Sequence, residues 1–309
     1  MSLHAELEPQ RPVRAWSLPR IYGHTVFSDL RDHQRPEGSR RVWWGGRQVW
    51  RGVDDPIFVL GSPRSGTTFL GEALAAVPEL SYHHEPVATK AFTPYVHAAT
   101  WKDRKARRRF RFVARLLLGL HFDGDKRYVD KTPSHVFLTG FLAATFPESL
   151  FIHVIRDGRD VALSWSKRPW LRADAFEPKR FEPGGYRYGP TPHFWVEAER
   201  IPEFRATTDL HRCAWGWRRH VEAWLDAATG LPPERMLQVR YEELVIRPHE
   251  IAGEIADFLG LDPEGGRALT TAAGNADPAS VGGWVTGMSP AETNLVEAEI
   301  GPTLRRVGY

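Results

Sequence analysis

Residues 57–68 read Ile-Phe-Val-Leu-Gly-Ser-Pro-Arg-Ser-Gly-Thr-Thr. The first four form a continuous apolar run, which is typical of a parallel strand that helices cover on both faces. A glycine-bearing loop, residues 61–68, follows at once, and the segment from Phe69 to Ala76 is predicted to be a helix. This order predicts an anion site, because the N–H groups of the loop and of the helix N-terminus converge on one point.

The loop differs at one position from the loop of enzymes that bind nucleoside triphosphates. In those enzymes a lysine follows the second glycine and reaches the β- and γ-phosphates. Here Thr67 follows Gly66, and Arg64 supplies a cation earlier in the loop. The missing lysine argues against ATP or GTP as the ligand, while Thr67 and Thr68 add hydroxyl donors.

A second buried apolar run, residues 151–155, leads into Arg-Asp-Gly-Arg and a predicted helix. Arg156 at the strand end and Ser164 two turns along the helix are expected to face one phosphate. The arginine would bind through its fork of donors and the serine through its hydroxyl. Asp157 and Asp160 are expected to cap the helix and hold the arginines. Taken alone, this segment fits a surface cluster of salt bridges equally well.

The alternation of strands and helices predicts an α/β fold, a three-layer parallel sheet with helices on both faces. A third predicted strand covers residues 236–240. The chain is predicted to be one domain, 1–309, with two additions. Residues 1–55 form an N-terminal extension with a predicted hairpin at 41–50, and residues 167–210 form an irregular insertion rich in proline and aromatic residues. Long loops of this kind are often lids or binding loops.

The composition of the chain limits which binding partners and which cellular location we expect. The net charge is +3 and the pI is about 9.0, but no nucleic-acid-binding motif is visible, so we expect no nucleic acid partner. Basic residues crowd positions 102–115, which indicates a solvated helix face or a surface for an anion. No apolar run approaches the roughly 18 residues of a membrane span, and no secretory signal is visible, so a cytoplasmic location is expected.

The single cysteine, Cys213, excludes an intramolecular disulfide and a zinc site built on several thiolates. It stands at helical spacing with Trp217, Val221 and Trp224, which predicts a place in the core. No cluster of histidines and carboxylates at metal-ligand spacing is visible, so no metal is expected.

Two anion sites at separate strand ends predict a ligand with two phosphate groups at different places. The sequence here resembles the sulfotransferase family that uses PAPS (3′-phosphoadenosine-5′-phosphosulfate), and it is nearer the bacterial and carbohydrate-type members than the cytosolic phenol type. Residues 61–68 resemble the family's 5′-phosphosulfate loop, and residues 156–164 resemble its 3′-phosphate motif. Asp130-Lys131-Thr132-Pro133 resembles its Lys-Thr-Pro segment, and residues 240–244 with 258–260 resemble its adenine-side segment.

The resemblance implies an enzyme that moves a sulfuryl group from PAPS to a hydroxyl or amine of a small-molecule or carbohydrate acceptor. The transfer would be an in-line displacement that leaves PAP (adenosine 3′,5′-bisphosphate) and requires no metal. The insertion at 167–210, which follows the helix that carries Ser164 and is rich in aromatic residues, is expected to form a wall or lid over the acceptor; the alternative is a packed structural extension remote from the acceptor. The residues implied for nucleotide binding are Arg64, Ser65, Gly66, Thr67, Thr68, Arg156, Ser164 and Tyr241.

The proton acceptor is expected in His83-His84-Glu85-Pro86. Carbohydrate-type members have a similar Glu-Pro, which makes Glu85 the first choice, while other members use histidine, which leaves His84 and His83 open. A positioned base accelerates such a step by roughly 10²–10⁴-fold. Lys131 would place a cation beside the transferring sulfonate, where charge builds up in the transition state.

One segment departs from the family pattern. Cytosolic members carry an Arg-Lys-Gly group before a Gly-x-Trp, whereas residues 277–284 read Asp-Pro-Ala-Ser-Val-Gly-Gly-Trp. Ser280, backbone N–H groups or another arginine would have to replace the basic pair at the 3′-phosphate. Two other functions remain open, a small-molecule kinase on the same fold and a nucleotide-binding relative without catalysis. The acceptor and the oligomeric state are not indicated by the sequence.

Overall fold

The computed structural model describes residues 52–97, 102–121, 126–177 and 187–309, together with Gly23 and Ala99. The hairpin predicted at 41–50 lies outside the described residues. The core is a sheet of five parallel strands in the order β2-β3-β1-β4-β5. The strands are β1 (Ile57–Gly61), β2 (Leu80–His84), β3 (Arg127–Lys131), β4 (Leu150–Ile155) and β5 (Met236–Arg240).

Helices connect the strands and cover both faces of the sheet. They are α1 (Thr67–Ala75), α2 (Val87–His97), α3 (Asp103–His121), α4 (Thr139–Thr145), α5 (Gly158–Ser166), α6 (Ile201–Ala206), α7 (Asp209–Ala228), α8 (Tyr241–Ile246), α9 (Pro248–Leu259), α10 (Pro263–Ala273), α11 (Trp284–Gly287) and α12 (Pro290–Arg306). Short 3₁₀ segments lie between them, at Pro133–Leu138, Pro169–Leu171, Ala173–Ala175, Ala198–Arg200, Pro233–Arg235 and Pro278–Ser280.

The central strand β1 shows why the sheet is the middle of three layers. Successive side chains of a strand point to opposite faces. Ile57 and Val59 pack into a cluster with α1, α9 and α10, whereas Phe58 and Leu60 pack into another with α2, α3 and α4. All four are fully buried. The predicted three-layer α/β fold is therefore confirmed.

The strand register places the segments that follow the strands at one edge of the sheet. Gly61 pairs with Val154 at the ends of β1 and β4, and His84 pairs with Lys131 at the ends of β2 and β3. In an open parallel sheet, ligands bind in the crevice outside these carboxyl ends. The residues singled out from the sequence lie on or directly after these ends.

Strands β2 and β3 were not among the three predicted strands. Their sequences, Leu-Ser-Tyr-His-His and Arg-Tyr-Val-Asp-Lys, lack the continuous apolar run that marks β1 and β4. Three polar residues at their ends are nevertheless buried, namely His83, Asp130 and Lys131, whereas His84 is exposed. A polar carboxyl end of this kind makes a strand hard to recognise by apolar periodicity alone.

Several local expectations are confirmed with small shifts in boundary. Helix α1 begins at Thr67 rather than Phe69, and α5 begins at Gly158, with the Asp157 side chain accepting a hydrogen bond from the Arg159 N–H. Cys213 is buried in the core on α7. Among the described residues, no helix has both the length and the apolar character that a membrane crossing needs.

The basic segment near residue 102 forms the exposed face of α3. Lys102, Arg104 and Lys105 are exposed, whereas Arg107 and Arg111 bend back and donate hydrogen bonds to carbonyl groups at the end of α4. The exposure of Lys102, Arg104 and Lys105 agrees with the expected solvated face.

The described parts of the 167–210 insertion pack onto the domain instead of projecting from it. Trp195 and Phe204 are buried in the same cluster as Trp215 of α7. Residues 178–186 lie outside the described residues.

Candidate functional site

The loop between β1 and α1 has a backbone that glycine makes possible. Gly66 has φ 94° and Arg64 has φ 73°, and both values lie in the left-handed region that residues other than glycine rarely adopt. A Cβ atom on Gly66 would collide with the ring of Tyr241. Position 66 thus needs glycine for its backbone and for the close approach of Tyr241 from the end of β5.

The loop also holds polar groups suited to an oxyanion. Ser65 is 1% exposed, and its hydroxyl has no hydrogen-bond partner among the described residues. Buried polar groups are normally satisfied, so an unpartnered hydroxyl here fits a ligand with acceptor oxygens. The N-terminal turn of α1 adds the N–H groups and hydroxyls of Thr67 and Thr68.

Positive charge is concentrated beside this loop. Arg64 Nε donates to Ser164 Oγ at 3.2 Å, and Arg156 Nη1 donates to the Arg64 carbonyl at 3.4 Å. Burial lowers the pKa of Arg64, and the neighbouring guanidinium groups of Arg168 and Arg156 lower it further. Cations that lie close enough to repel one another attract an anion between them, so the arrangement is suited to phosphate.

Arg156 is held between two elements. Its guanidinium lies over the Tyr241 ring, 4.6 Å from the centroid, and it donates to the Ser280 carbonyl. The Tyr241 hydroxyl lies 2.7 Å from Ser280 Oγ. Arg156 Nε is buried without a partner among the described residues, so one of its donors remains available to a ligand.

The segment that departs from the family pattern, residues 277–284, docks on the Arg-Asp-Gly-Arg motif through Asp160. The Asp160 carboxylate accepts hydrogen bonds from Gly282 N at 2.7 Å and Trp284 N at 2.9 Å. Arg159 stacks on the Trp284 ring at 4.0 Å. Ser280 is thereby brought to Arg156. The segment itself contains Asp277 and no basic residue, so the cation next to Ser280 is supplied by Arg156.

Glu85 lies at the centre of a chain of ionic contacts. Its carboxylate accepts from Lys131 Nζ at 2.9 Å and from Lys90 Nζ at 3.0 Å, and Lys131 Nζ also donates to Thr68 Oγ1 at 3.1 Å. Burial raises the pKa of Glu85, but the two ammonium groups outweigh burial and hold it well below its usual value. Lys90 was not predicted as a site residue, and its position five residues after Glu85 is the one signal in the sequence that could have indicated it.

The two histidines of β2 point to opposite faces of the strand. His84 is exposed at the site, with Nδ1 3.2 Å from the Tyr82 hydroxyl. Burial lowers the pKa of His84, and the charge of Lys131 lowers it further. His83 is instead buried in the core and stacks on Tyr128 at 4.8 Å. The structure therefore separates His84, which reaches the site, from His83, which does not line it.

A cavity of about 510 Å³ brings most of these groups together. Its lining residues between β1 and the 3₁₀ segment after β3 are Pro63, Arg64, Thr67, Thr68, His84, Glu85, Lys90, Thr93, Pro94, Pro133 and Ser134. Its lining residues from α5 onward are Trp165, Arg168, Pro169, Trp170, His193, Phe194, Trp195 and His220. Arg156, Ser164 and Tyr241 lie around the phosphate loop through their contacts with Arg64 and Gly66, and do not line the cavity.

One group of metal-ligand type occurs among the described residues, Glu203, His211 and Glu299. Arg200 donates to both of these carboxylates at 2.8 Å. Arg218 donates to Glu299 at 2.7 Å. The arginines already neutralise the acids, so the cluster is an ion-pair network between α6, α7 and α12.

Two curated proteins are similar to this chain in sequence, and one of them is named as a sulfotransferase. The chain is 23% identical over 222 residues to protein-tyrosine sulfotransferase A of Caenorhabditis elegans, covering 66% of this chain and 50% of that protein. It is 27% identical over 233 residues to the nodulation protein NoeE of Sinorhizobium fredii, covering 67% of this chain and 50% of that protein. The chain thus spans about half the length of the curated relatives it matches.

Solved structures give the same fold. The sulfotransferase STF9 from Mycobacterium avium superposes with a TM-score of 0.51 at 14% identity, covering 97% of this chain and 88% of that one. A family model, the sulfotransferase domain, matches residues 54–272. The match runs from the residues before β1 through the phosphate loop, the Lys-Thr-Pro segment and the Arg-Asp-Gly-Arg motif to α10, and the chain belongs to the sulfotransferase domain family.

Proposed function

We propose that the protein transfers a sulfuryl group from PAPS to a hydroxyl or amine of an acceptor bound in the cavity. One observation carries the proposal. The arginines Arg64, Arg156 and Arg168 cluster at a glycine loop, directly beside a cavity that Glu85, His84 and Thr68 line. An anion with two phosphate groups and a neutral acceptor would meet at Arg64 and Thr68.

The residues present suit the donor at both of its ends. The unpartnered Ser65 hydroxyl, the N–H groups at the start of α1 and Arg64 fit the 5′-phosphosulfate. Arg156 and Ser164 fit the 3′-phosphate, since Arg156 keeps one free donor and Ser164 keeps its own proton after accepting from Arg64. Tyr241 would border the adenine side.

PAPS supplies a sulfuryl group on a phosphate leaving group. As the acceptor oxygen bonds to sulfur, the bridging S–O bond breaks, its electron pair goes to PAP, and the acceptor proton goes to a base. Lys131 is fully buried and does not line the cavity itself, but it is fixed between Glu85 and Thr68, which do. A cation held in this way needs little rearrangement to stabilise charge that develops on the transferring group.

Glu85 remains our first proposal for the base, and His84 the second. Both line the cavity, and both are unprotonated at neutral pH because their pKa values are lowered. Glu85 must loosen at least one lysine contact before it can take a proton, whereas the imidazole of His84 is ready to accept one. Their different basicity makes the pH profile of each variant the means of deciding between them.

The insertion is proposed to form the acceptor side of the site within a single domain. Its residues Trp170, Phe194 and Trp195 line the same cavity as Glu85. Its first residues directly follow α5, which carries Ser164. This support agrees with the role of loops at the carboxyl ends of strands in ligand binding.

The test compares nucleotides and then measures transfer. PAP at 100 times its dissociation constant should stabilise the protein by about 2.7 kcal/mol in a thermal or denaturant unfolding experiment. ATP with Mg²⁺ should give little, because the loop has Thr67 where the phosphate-binding lysine would stand. Labelled PAPS should then label an acceptor. Stabilisation by ATP–Mg²⁺ alone would favour the kinase, and PAP binding without any transfer would favour a non-catalytic relative.

A further inference from the structure

The residues that line the cavity fall into two groups of different chemistry. The first group, which runs from the phosphate loop to Ser134, holds the charged residues Arg64, Glu85 and Lys90. The second group, which we call the ring wall, consists of Trp165, Pro169, Trp170, His193, Phe194, Trp195 and His220. Among the described lining residues Glu85 is the one carboxylate, and none is Asn or Gln. Arg168 is the one charged residue that the insertion adds.

Contacts behind the ring wall fix its shape. Phe194 packs edge-on against Phe137 with centroids 5.2 Å apart and lies 5.1 Å from His97. The His220 ring lies 4.7 Å from Phe137, and its Nδ1 is held 2.7 Å from the Gly216 carbonyl. Edge-to-face aromatic pairs of this kind resist rearrangement. The wall is therefore a preformed apolar surface, which favours a rigid ligand of matching shape.

The two imidazoles of the ring wall do not add charge to it. Burial lowers the pKa of His193 to about 3 and that of His220 to about 4, so both are neutral near pH 7. The wall consequently offers no cation of its own to the carboxylate or sulfate of an acidic glycan. Arg168, the lining cation next to Pro169 in the sequence, belongs with the cations of the phosphate loop, since its charge lowers the pKa of Arg64.

A neutral sugar is also poorly matched to this wall. Each sugar hydroxyl that leaves water needs a hydrogen-bond partner, and an unpaired one weakens binding substantially. Sugar rings stack on aromatic residues where flanking carboxylates or amides satisfy those hydroxyls. Here the lining lacks the amides, Glu85 is engaged by two lysines, and the hydroxyl residues Thr67, Thr68, Thr93 and Ser134 all lie outside the ring wall. A flat apolar ring needs no such partners.

We propose that the acceptor is an uncharged alcohol or phenol with a flat, apolar ring body. Its rings would lie against Trp170 and Phe194, and its hydroxyl would point to Glu85 and His84. The cavity volume of about 510 Å³ lies within the range of sites for compact small molecules. The inference rests on the proposed sulfuryl transfer, and it makes Trp170 and Phe194 specificity-determining residues.

The experiment uses the full chain saturated with PAP and two uncharged probes, the fused-ring phenol 2-naphthol and the oligosaccharide chitotetraose. Calorimetry measures binding of each probe, and initial rates with PAPS measure transfer. The variants are Trp170→Ala and Phe194→Ala. Phe176→Ala is the matched control, because Phe176 belongs to the same insertion, is 45% exposed and does not line the cavity.

We expect 2-naphthol to bind, and each wall variant to raise its Kd by about ten- to a hundredfold, the loss that follows from removing one ring contact. PAP affinity should be unchanged in every variant, and Phe176→Ala should match the unaltered chain. If Trp170→Ala loses PAP affinity through misfolding, Trp170→Leu replaces it, since leucine keeps apolar volume but lacks the flat face, and a smaller loss is expected.

Two results overturn the inference while sulfuryl transfer stands. In one, PAP binds but chitotetraose binds more tightly than 2-naphthol, or 2-naphthol does not bind. In the other, 2-naphthol binds with the same affinity to the unaltered chain and to both wall variants. Failure of the unaltered chain to bind PAP refutes the proposed function instead, so the two failures are distinguishable.

Discussion

Arg156→Ala tests the proposed 3′-phosphate site most directly. The guanidinium is 7% exposed, lies over the Tyr241 ring and keeps an unpartnered Nε. Hydrogen bonds to charged groups contribute about 1.5–3 kcal/mol each. Loss of one such bond to phosphate, together with the ordering of Tyr241, should weaken PAP binding by about 2–4 kcal/mol, or roughly 30- to 1000-fold.

The fold should survive this change. Asp160, which lies 3.7 Å from Arg156, keeps hydrogen bonds from two backbone N–H groups, so its charge is not left unsatisfied. Ser164→Ala removes only a neutral hydroxyl and should cost about 0.5–1.5 kcal/mol of PAP binding. The measurement is calorimetric titration with PAP at fixed ionic strength.

Arg172→Ala is the matched control, since Arg172 pairs with Asp174 in the insertion and does not line the cavity. It removes the same charge from the chain and should leave PAP affinity nearly unchanged. Equal affinities for PAP in Arg156→Ala, Arg172→Ala and the unaltered chain would show that the 3′-phosphate is bound elsewhere.

Two further predictions concern Glu85 and Glu299. Glu85→Gln should cut kcat by about 10²–10⁴-fold with PAP binding nearly intact. If this variant instead turns over at a near-normal rate, and His84→Ala loses the acid limb of the pH profile, the base is His84. That limb should lie below the usual His value, because the pKa of His84 is lowered. For Glu299, burial is outweighed by His211, Arg200 and Arg218, which hold its pKa at about 2 against 4.5. The stabilisation by the Glu299 carboxylate is thus complete above about pH 4.5 and is lost as the pH falls toward 2. Glu299→Gln should therefore lower the free energy of unfolding in urea by about 2–4 kcal/mol at pH 7 and by much less at pH 3. An equal loss at both pH values would contradict this.

The sequence predicted the parts of the molecule that obey local rules. The apolar run before Gly61 and the one before Arg156 identified two neighbouring strands, and the parallel α/β class followed from them. The phosphate loop could be predicted because its turn needs a residue with positive φ at position 66, and glycine in that position is visible in the sequence.

Other features depend on contacts between distant segments. Lys131, which meets Glu85 from the end of β3, is one such contact, and Lys90 adds a local one from the first turn of α2 that no periodicity indicates. Trp284 meets Arg159 through a segment more than a hundred residues away, held by the Asp160 carboxylate. Strands β2 and β3 were not predicted because polar side chains are buried at their ends. The burial of those side chains depends on contacts with residues far away in the sequence.

Arg64 belongs to both halves of the site, since it lines the cavity and donates to Ser164. A ligand on either side that moves this side chain changes the binding free energy of the ligand on the other side. Thermodynamic linkage requires the two effects to be equal, so the factor by which PAP alters acceptor affinity must also be the factor by which the acceptor alters PAP affinity. Arg64→Met should reduce this coupling toward a factor of one in paired titrations, whereas an undiminished factor would place the coupling in another residue.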